Sequence, residues 1–158
     1  MVANLAHAQE YKAGDKLLNV GVGIGSTLSA AGLKSTLPPI GLSFEYGVTD
    51  KISAGAFLGY SAASQDVFGS SFKYTYIVVA AKGAYHFNFK VDKLDPYAGA
   101  IVGYNIASVS PSFPGSKLGG VIIGGVAGAR YYLKDNISAF AEAGYGIAFL
   151  TVGASFKF

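Results

Sequence analysis

The chain has 158 residues, 51% of them hydrophobic and 13% charged, with a formal net charge of +3 and no cysteine. Without cysteine there are no disulfides, thiol nucleophiles or thiolate metal sites, and the basic residues are too scattered to form a nucleic-acid patch. A mean hydropathy of +0.40 is membrane-like, yet no apolar run reaches the ~18–20 residues of a spanning helix.

The longest apolar run, 118–129, is glycine-rich and stops at Arg130. Lipid leaves exposed backbone polar groups unsatisfied, so the remaining spanning structure is a closed β-barrel. At the N-terminus, Ala6-His7-Ala8 before Gln9 has the small-x-small form of a signal-peptidase site, but the charged and apolar regions that precede such a site are missing. Residues 1–8 are therefore expected to be a leader remnant or a vector-derived scar, the alternative being an ordinary frayed terminus. Residues 9–158 form a single domain.

From residue 17 onward, apolar and small or polar side chains alternate, which is the period-2 signature of strands. In 17–26, Leu18, Val20, Val22 and Ile24 oppose Asn19, Gly21, Gly23 and Gly25. In 40–48, Ile40, Leu42, Phe44, Tyr46 and Val48 oppose Gly41, Ser43, Glu45 and Gly47. A tight turn at 49–51 leads to 52–61, with Ile52, Ala54, Ala56, Leu58 and Tyr60 against Ser53, Gly55, Phe57 and Gly59. These two segments predict a hairpin.

The fourth strand, 72–87, is apolar on both sides through 76–81, so its phase is open. Placing Ile77, Val79, Ala81, Tyr85 and Phe87 outward turns Lys82 and His86 inward. A charged turn at 88–95 precedes strand 96–107, with Ala98, Ala100, Val102, Tyr104 and Ile106 outward. Strand 118–133 puts Arg130 on the inner face. After a turn at 134–136, strand 137–145 puts Ile137, Ala139, Ala141, Ala143 and Tyr145 outward and Glu142 inward. Gly144-Tyr145-Gly146 reverses the chain into 148–158, where Leu150, Val152, Ala154, Phe156 and Phe158 oppose Thr151, Gly153, Ser155 and Lys157.

The predicted fold is an all-β, transmembrane antiparallel up-and-down β-barrel of about eight strands, each near the ~9–11 residues that cross a bilayer at a tilt. The connections at 49–51, 88–95 and 134–136 are short and charged; those at 28–38, 62–71 and 108–117 are longer and rich in Ser, Gly and Pro. Short turns on one rim and long loops on the other match periplasmic and extracellular sides. The rival is a soluble lipocalin-like ligand binder with its apolar face inside. Its outer face would then carry the Gly, Ser, Ala and Thr side, whereas water-facing surfaces run to roughly 25–35% charged residues.

The closing strand ending on Phe158, the run Pro96-Tyr97-Ala98-Gly99-Ala100-Ile101-Val102-Gly103-Tyr104-Asn105, and Gly128-Ala129-Arg130-Tyr131-Tyr132 resemble the small OmpA/OmpX/OmpW-type bacterial outer-membrane proteins. The resemblance implies a bacterial outer-membrane location with periplasmic termini, membrane lipid and lipopolysaccharide as partners, and a monomer. It also implies that Phe156 and Phe158 form the signal read by the outer-membrane assembly machinery.

Glu45, Lys82, Arg130 and Glu142 are the inner-face charges. A buried ion needs a partner, so a lumenal network is expected, with Arg130 bridged to Glu142 or Glu45. It would act as a register-holding plug or as a polar gate. His86 is the one histidine beyond the leader, and no serine stands two residues away on its face, so the sequence shows no nucleophile–base pair. Gly21-Val22-Gly23-Ile24-Gly25 fails the dinucleotide spacing because Ser26 takes the sixth position. No catalytic, cofactor or metal motif is present, and the chain is expected not to be an enzyme. Tyr46, Tyr60, Tyr74, Tyr85, Tyr97, Tyr104, Tyr131, Tyr145, Phe156 and Phe158 are expected in interface girdles. The expected function is an envelope-integrity or surface-interaction barrel with a packed or narrow lumen. The alternative is an OmpW-like conduit or binder for small or hydrophobic molecules, with Phe57, Ile101 and Phe140 making part of its lumen apolar.

Overall fold

The computed structural model describes residues 11–28, 32–111 and 118–158. The leader expected at 1–8 and parts of the connections expected at 28–38 and 108–117 lie outside the described residues. The strands are β1 (Lys16–Ser26), β2 (Lys34–Gly47), β3 (Ile52–Val67), β4 (Ser70–His86), β5 (Leu94–Ser110), β6 (Leu118–Lys134), β7 (Ile137–Gly144) and β8 (Ala148–Lys157). Each pairs antiparallel with its neighbours in chain order, and β1 with β8 closes the barrel. Closure removes every sheet edge along the paired lengths, as a span through lipid requires.

The alternation sorts as hydrophobicity dictates. Val20, Val22, Ile24, Ile40, Leu42, Phe44, Leu58, Ile77, Val79, Val102, Ile123, Leu150 and Val152 are exposed on the outer wall. Asn19, Ser43, Glu45, Ser53, Lys82, His86, Arg130 and Ser155 are buried inside. A continuous apolar belt of this size on the outside is a lipid-facing surface. It also disposes of the soluble, apolar-inside arrangement. The open phase of the fourth strand resolves with Lys82 and His86 inward, because Ile77, Val79, Tyr85 and Phe87 take the outer wall.

About eight strands leave an interior just wide enough for side chains, and glycine is needed where they meet. An added Cβ at Gly128 would lie 2.9 Å from the Tyr97 ring and 2.6 Å from the Ala141 carbonyl oxygen. Half-way along the lumen, Val78, Ile101, Ile147 and Ala148 pack into an apolar layer, with Phe57, Leu28 and Ile122 against it.

One rim differs from expectation. Residues 62–71 were expected to be a long loop; instead β3 and β4 stay paired from Ile52↔Tyr85 up to Val67↔Ser70. They join through a tight turn with Phe68 at φ 49° and Gly69 at φ 80°. Beyond the membrane both faces of a ribbon meet water, so the alternation that marks a strand fades while backbone pairing continues. β7 and β8 have 8 and 10 residues against 16 or 17 in β3 to β6, so the wall is tall on one side and low on the other.

Candidate functional site: a buried ion network in the lumen

The four inner-face charges meet in the half of the barrel nearer the termini. Arg130 is fully buried (0% exposed). Its Nη2 donates to Glu45 Oε1 at 2.7 Å and its Nη1 to Asp95 Oδ2 at 3.2 Å. Nε points at Asn19 Oδ1 and Ser155 Oγ, both at 3.3 Å. The guanidinium also lies over the Tyr97 ring, 4.2 Å from its centroid. Arg130 therefore bridges to Glu45, one of its two expected partners. Glu142 is taken by Lys82, whose Nζ lies 2.7 Å from Oε2 and 3.5 Å from Glu45 Oε1. The Tyr97 hydroxyl donates to the same Glu142 oxygen at 2.8 Å. Register decides this exchange: Glu142 sits opposite Gly128, one inward position along β6 from Arg130, which opposes Phe140.

The sequence reading missed Asp95, which it placed in a turn. Carrying the inward parity of Tyr97 back by two residues would have found it. Asp95 Oδ1 lies 2.7 Å from His86 Nδ1, and His86 Nε2 lies 3.0 Å from Ser53 Oγ. Ser53 in turn donates to Glu45 Oε2 at 2.9 Å. A serine therefore does reach His86, from the neighbouring strand and not its own. The connectivity is that of a serine–histidine–acid relay, but Ser53 is 1% exposed and its hydroxyl touches a carboxylate that would oppose a developing oxyanion. Asn19 completes the cluster, donating to Ser43 Oγ at 2.8 Å and Glu45 Oε1 at 2.7 Å.

Two aromatic assignments change. Tyr97 is buried inside the network and Tyr74 lines the upper lumen, so neither belongs to a girdle. A residue no motif marked, Tyr11, caps the network. Its ring stacks on His86 at 3.6 Å and 7°, and its hydroxyl donates to the Ile52 carbonyl at 2.7 Å. Residues 11–15 form a strap across this mouth, held by Gly14 N–H on the Gly47 carbonyl and Gly47 N–H on the Asp15 carbonyl, both at 2.8 Å. Burial, with Glu45, Asp95 and Asp15 nearby, pushes the Tyr11 hydroxyl pKa up to about 12.

Above the network, a cavity of about 30 Å3 touches Lys82, Glu142, Phe57, Ile101, Phe140 and Ile147, room for about one water. On the loop side of the apolar layer, the lumen widens into a cup of about 450 Å3. Among the described residues no cluster of His, Cys, Asp or Glu is arranged to hold a metal ion.

Solved structures of other proteins share this architecture. OprG of Pseudomonas aeruginosa aligns with a TM-score of 0.67 at 14% identity, covering 94% of this chain and 98% of that one. The fold is that of the small outer-membrane β-barrels. The N-terminal barrel domain of Pseudomonas aeruginosa OprF aligns at 0.53 and 20% identity, covering 93% and 99%. Ail, the attachment invasion locus protein of Yersinia pestis, aligns at 0.52 and 16%, covering 95% and 100%. No protein-family model matches the chain, and no curated protein matches it.

Proposed function

We propose that the chain is an integral bacterial outer-membrane barrel with a sealed lumen, acting in envelope integrity or surface interaction through its loop-side rim. The observation that carries this is the fully buried Arg130 held between Glu45 and Asp95. A permeating ion would have to break charge-assisted bonds in a low-dielectric interior, where each lost partner leaves an uncompensated charge. The apolar layer at Val78, Ile101 and Ile147 adds a second, dry barrier. In this reading both termini face the periplasm and acyl chains and lipopolysaccharide surround a monomer. Phe156 and Phe158, exposed on the outer wall at the end of β8, present the assembly signal. Ser53, His86 and Asp95 brace the plug and do no catalysis. Planar-bilayer recording tests the reading: the purified protein is expected to give no sustained open-pore current, and a stable conductance from the intact barrel would overturn it.

One observation favours a second reading, a binding site or conduit for small apolar molecules. The cup is lined by Leu28, Leu33, Tyr74, Tyr76, Gln65 and Asn105, and the buried Asn105 Oδ1 has no partner among the described residues. An orphaned acceptor in an aromatic pocket suits an apolar molecule carrying one N–H or O–H. Calorimetric titration with indole should show saturable binding that Asn105→Leu abolishes. Absence of saturation in the parent protein would remove this reading.

A further inference from the structure

At the mouth nearer the termini the barrel builds a small site of its own, and the strap fills it. The platform is the His86 imidazole, fixed at both nitrogens: Nδ1 lies 2.7 Å from Asp95 Oδ1 and Nε2 lies 3.0 Å from Ser53 Oγ. The acceptor is the Ile52 carbonyl, held in the β2–β3 turn by the Val48 and Thr49 amides at 2.9 and 3.1 Å. The space comes from Gly47, where an added Cβ would lie 3.0 Å from the Tyr11 hydroxyl and 2.5 Å from the Lys12 carbonyl oxygen. Gly47 belongs to β2, Ile52 to β3 and His86 to β4, so the wall presets platform, acceptor and space without help from the strap.

Tyr11 sits in it as a ligand would. Its ring lies parallel to the imidazole at 3.6 Å, and its hydroxyl donates to the preset carbonyl at 2.7 Å. A flat ring and one aligned O–H donor are what a phenol offers. Charge narrows the match further. Asp50 and Asp95 line the remaining gap of about 30 Å3 beside the ring, and carboxylates there oppose an anionic ligand. The strap's other holds are few: the Gly14 and Gly47 amide bonds, and Ala13 N–H on Asp50 Oδ1 at 2.9 Å, which is exposed. A ligand on a short tether competes as if present at millimolar concentration, so a phenol from solution enters once Tyr11 is weakened or outcompeted.

We infer that this mouth is a binding site for a phenol group, occupied in cis by Tyr11, and that the strap is an internal ligand which an external phenol replaces. The exchange opens the imidazole face to the terminal side while Arg130 stays held by Glu45 and Asp95 beneath it. The site therefore adds ligand recognition to a barrel whose lumen remains sealed, and it does not depend on the lumen being sealed.

Titration of the detergent-purified Tyr11→Ala variant with p-cresol, followed by the His86 ring-proton resonances, tests it. Saturable binding is expected, with the upfield displacement that a stacked ring imposes. The parent should bind p-cresol at least roughly tenfold more weakly, because Tyr11 holds the site. Toluene has the ring without the O–H and should bind Tyr11→Ala roughly fivefold more weakly than p-cresol. N-acetyltyrosinamide separates two sources of the phenol, and both results support the site: binding like p-cresol assigns a tyrosine carried on a chain, and binding of p-cresol alone assigns a small free phenol. Tyr11→Phe keeps the ring and loses the donor, so it should bind p-cresol more tightly than the parent, which keeps the test open should Tyr11→Ala fail to fold. No saturation in either variant, equal binding by the parent, or toluene matching p-cresol would each overturn the inference. Heat-dependent gel mobility of every variant reports folding separately, so failure of the barrel reading and failure of the phenol site give different results.

Discussion

At the scale of single residues, Glu45, Lys82, Asp95, Arg130 and Glu142 each lie in the lumen against an opposite charge or a hydrogen-bond partner. Replacing Arg130 with Met removes the cation between Glu45 and Asp95 while both carboxylates stay buried. The expected loss is about 3–5 kcal/mol, read as a lower denaturant midpoint for unfolding in detergent. Adding Glu45→Gln to that variant should restore part of the loss, since two members of one network do not act additively. Gly128→Ala acts by volume instead: its methyl would push on the Tyr97 ring and the Ala141 carbonyl, costing roughly 1–3 kcal/mol. Tyr11 adds a pH dependence. Its hydroxyl pKa rises from 10.0 to about 12, so the folded strap holds the proton more tightly than the unfolded chain. The strap's contribution is complete below pH 10 and fades as pH climbs through about 12. Difference absorbance of tyrosinate between the parent and Tyr11→Phe should place this titration near that upper value.

At the scale of elements, strand number, order and facing were legible because lipid outside and packed side chains inside impose opposite demands on alternate residues. Val20 with Val22 and Asn19 with Gly21 separate by parity alone. The upper β3–β4 ribbon was not legible, because 61–71 is mostly Ser, Ala, Gln, Asp and Gly and lacks the apolar alternation that marks a strand, while its backbone pairing continues. At its tip Phe68 is fully exposed and left-handed, with φ 49°, a conformation that a bulky L-residue adopts at a cost. Asn suits this turn position better. Phe68→Asn is therefore expected to raise stability by up to roughly 1 kcal/mol, seen as a higher unfolding midpoint.

At the scale of the whole molecule, closure and the apolar belt make the fold conditional on its solvent. The purified chain should run as separate folded and heat-unfolded bands in detergent and should not stay monomeric and structured in plain buffer. The uneven height of the wall, low at β7 and β8 and high at β3 to β6, puts the cup on the tall side. Any molecule engaged from outside meets that side first.

The sequence by itself determined the architecture and the inward facing of Glu45, Lys82, Arg130 and Glu142, though not of Asp95, because the two-residue period is local and lipid enforces it within the strands. Only the tertiary structure decided who pairs with whom: Lys82 with Glu142, Arg130 with Asp95, Ser53 with His86, Tyr11 over the imidazole. Those partners come from strands far apart in the chain, and their meeting depends on inter-strand register and barrel closure, quantities that no single strand's pattern contains.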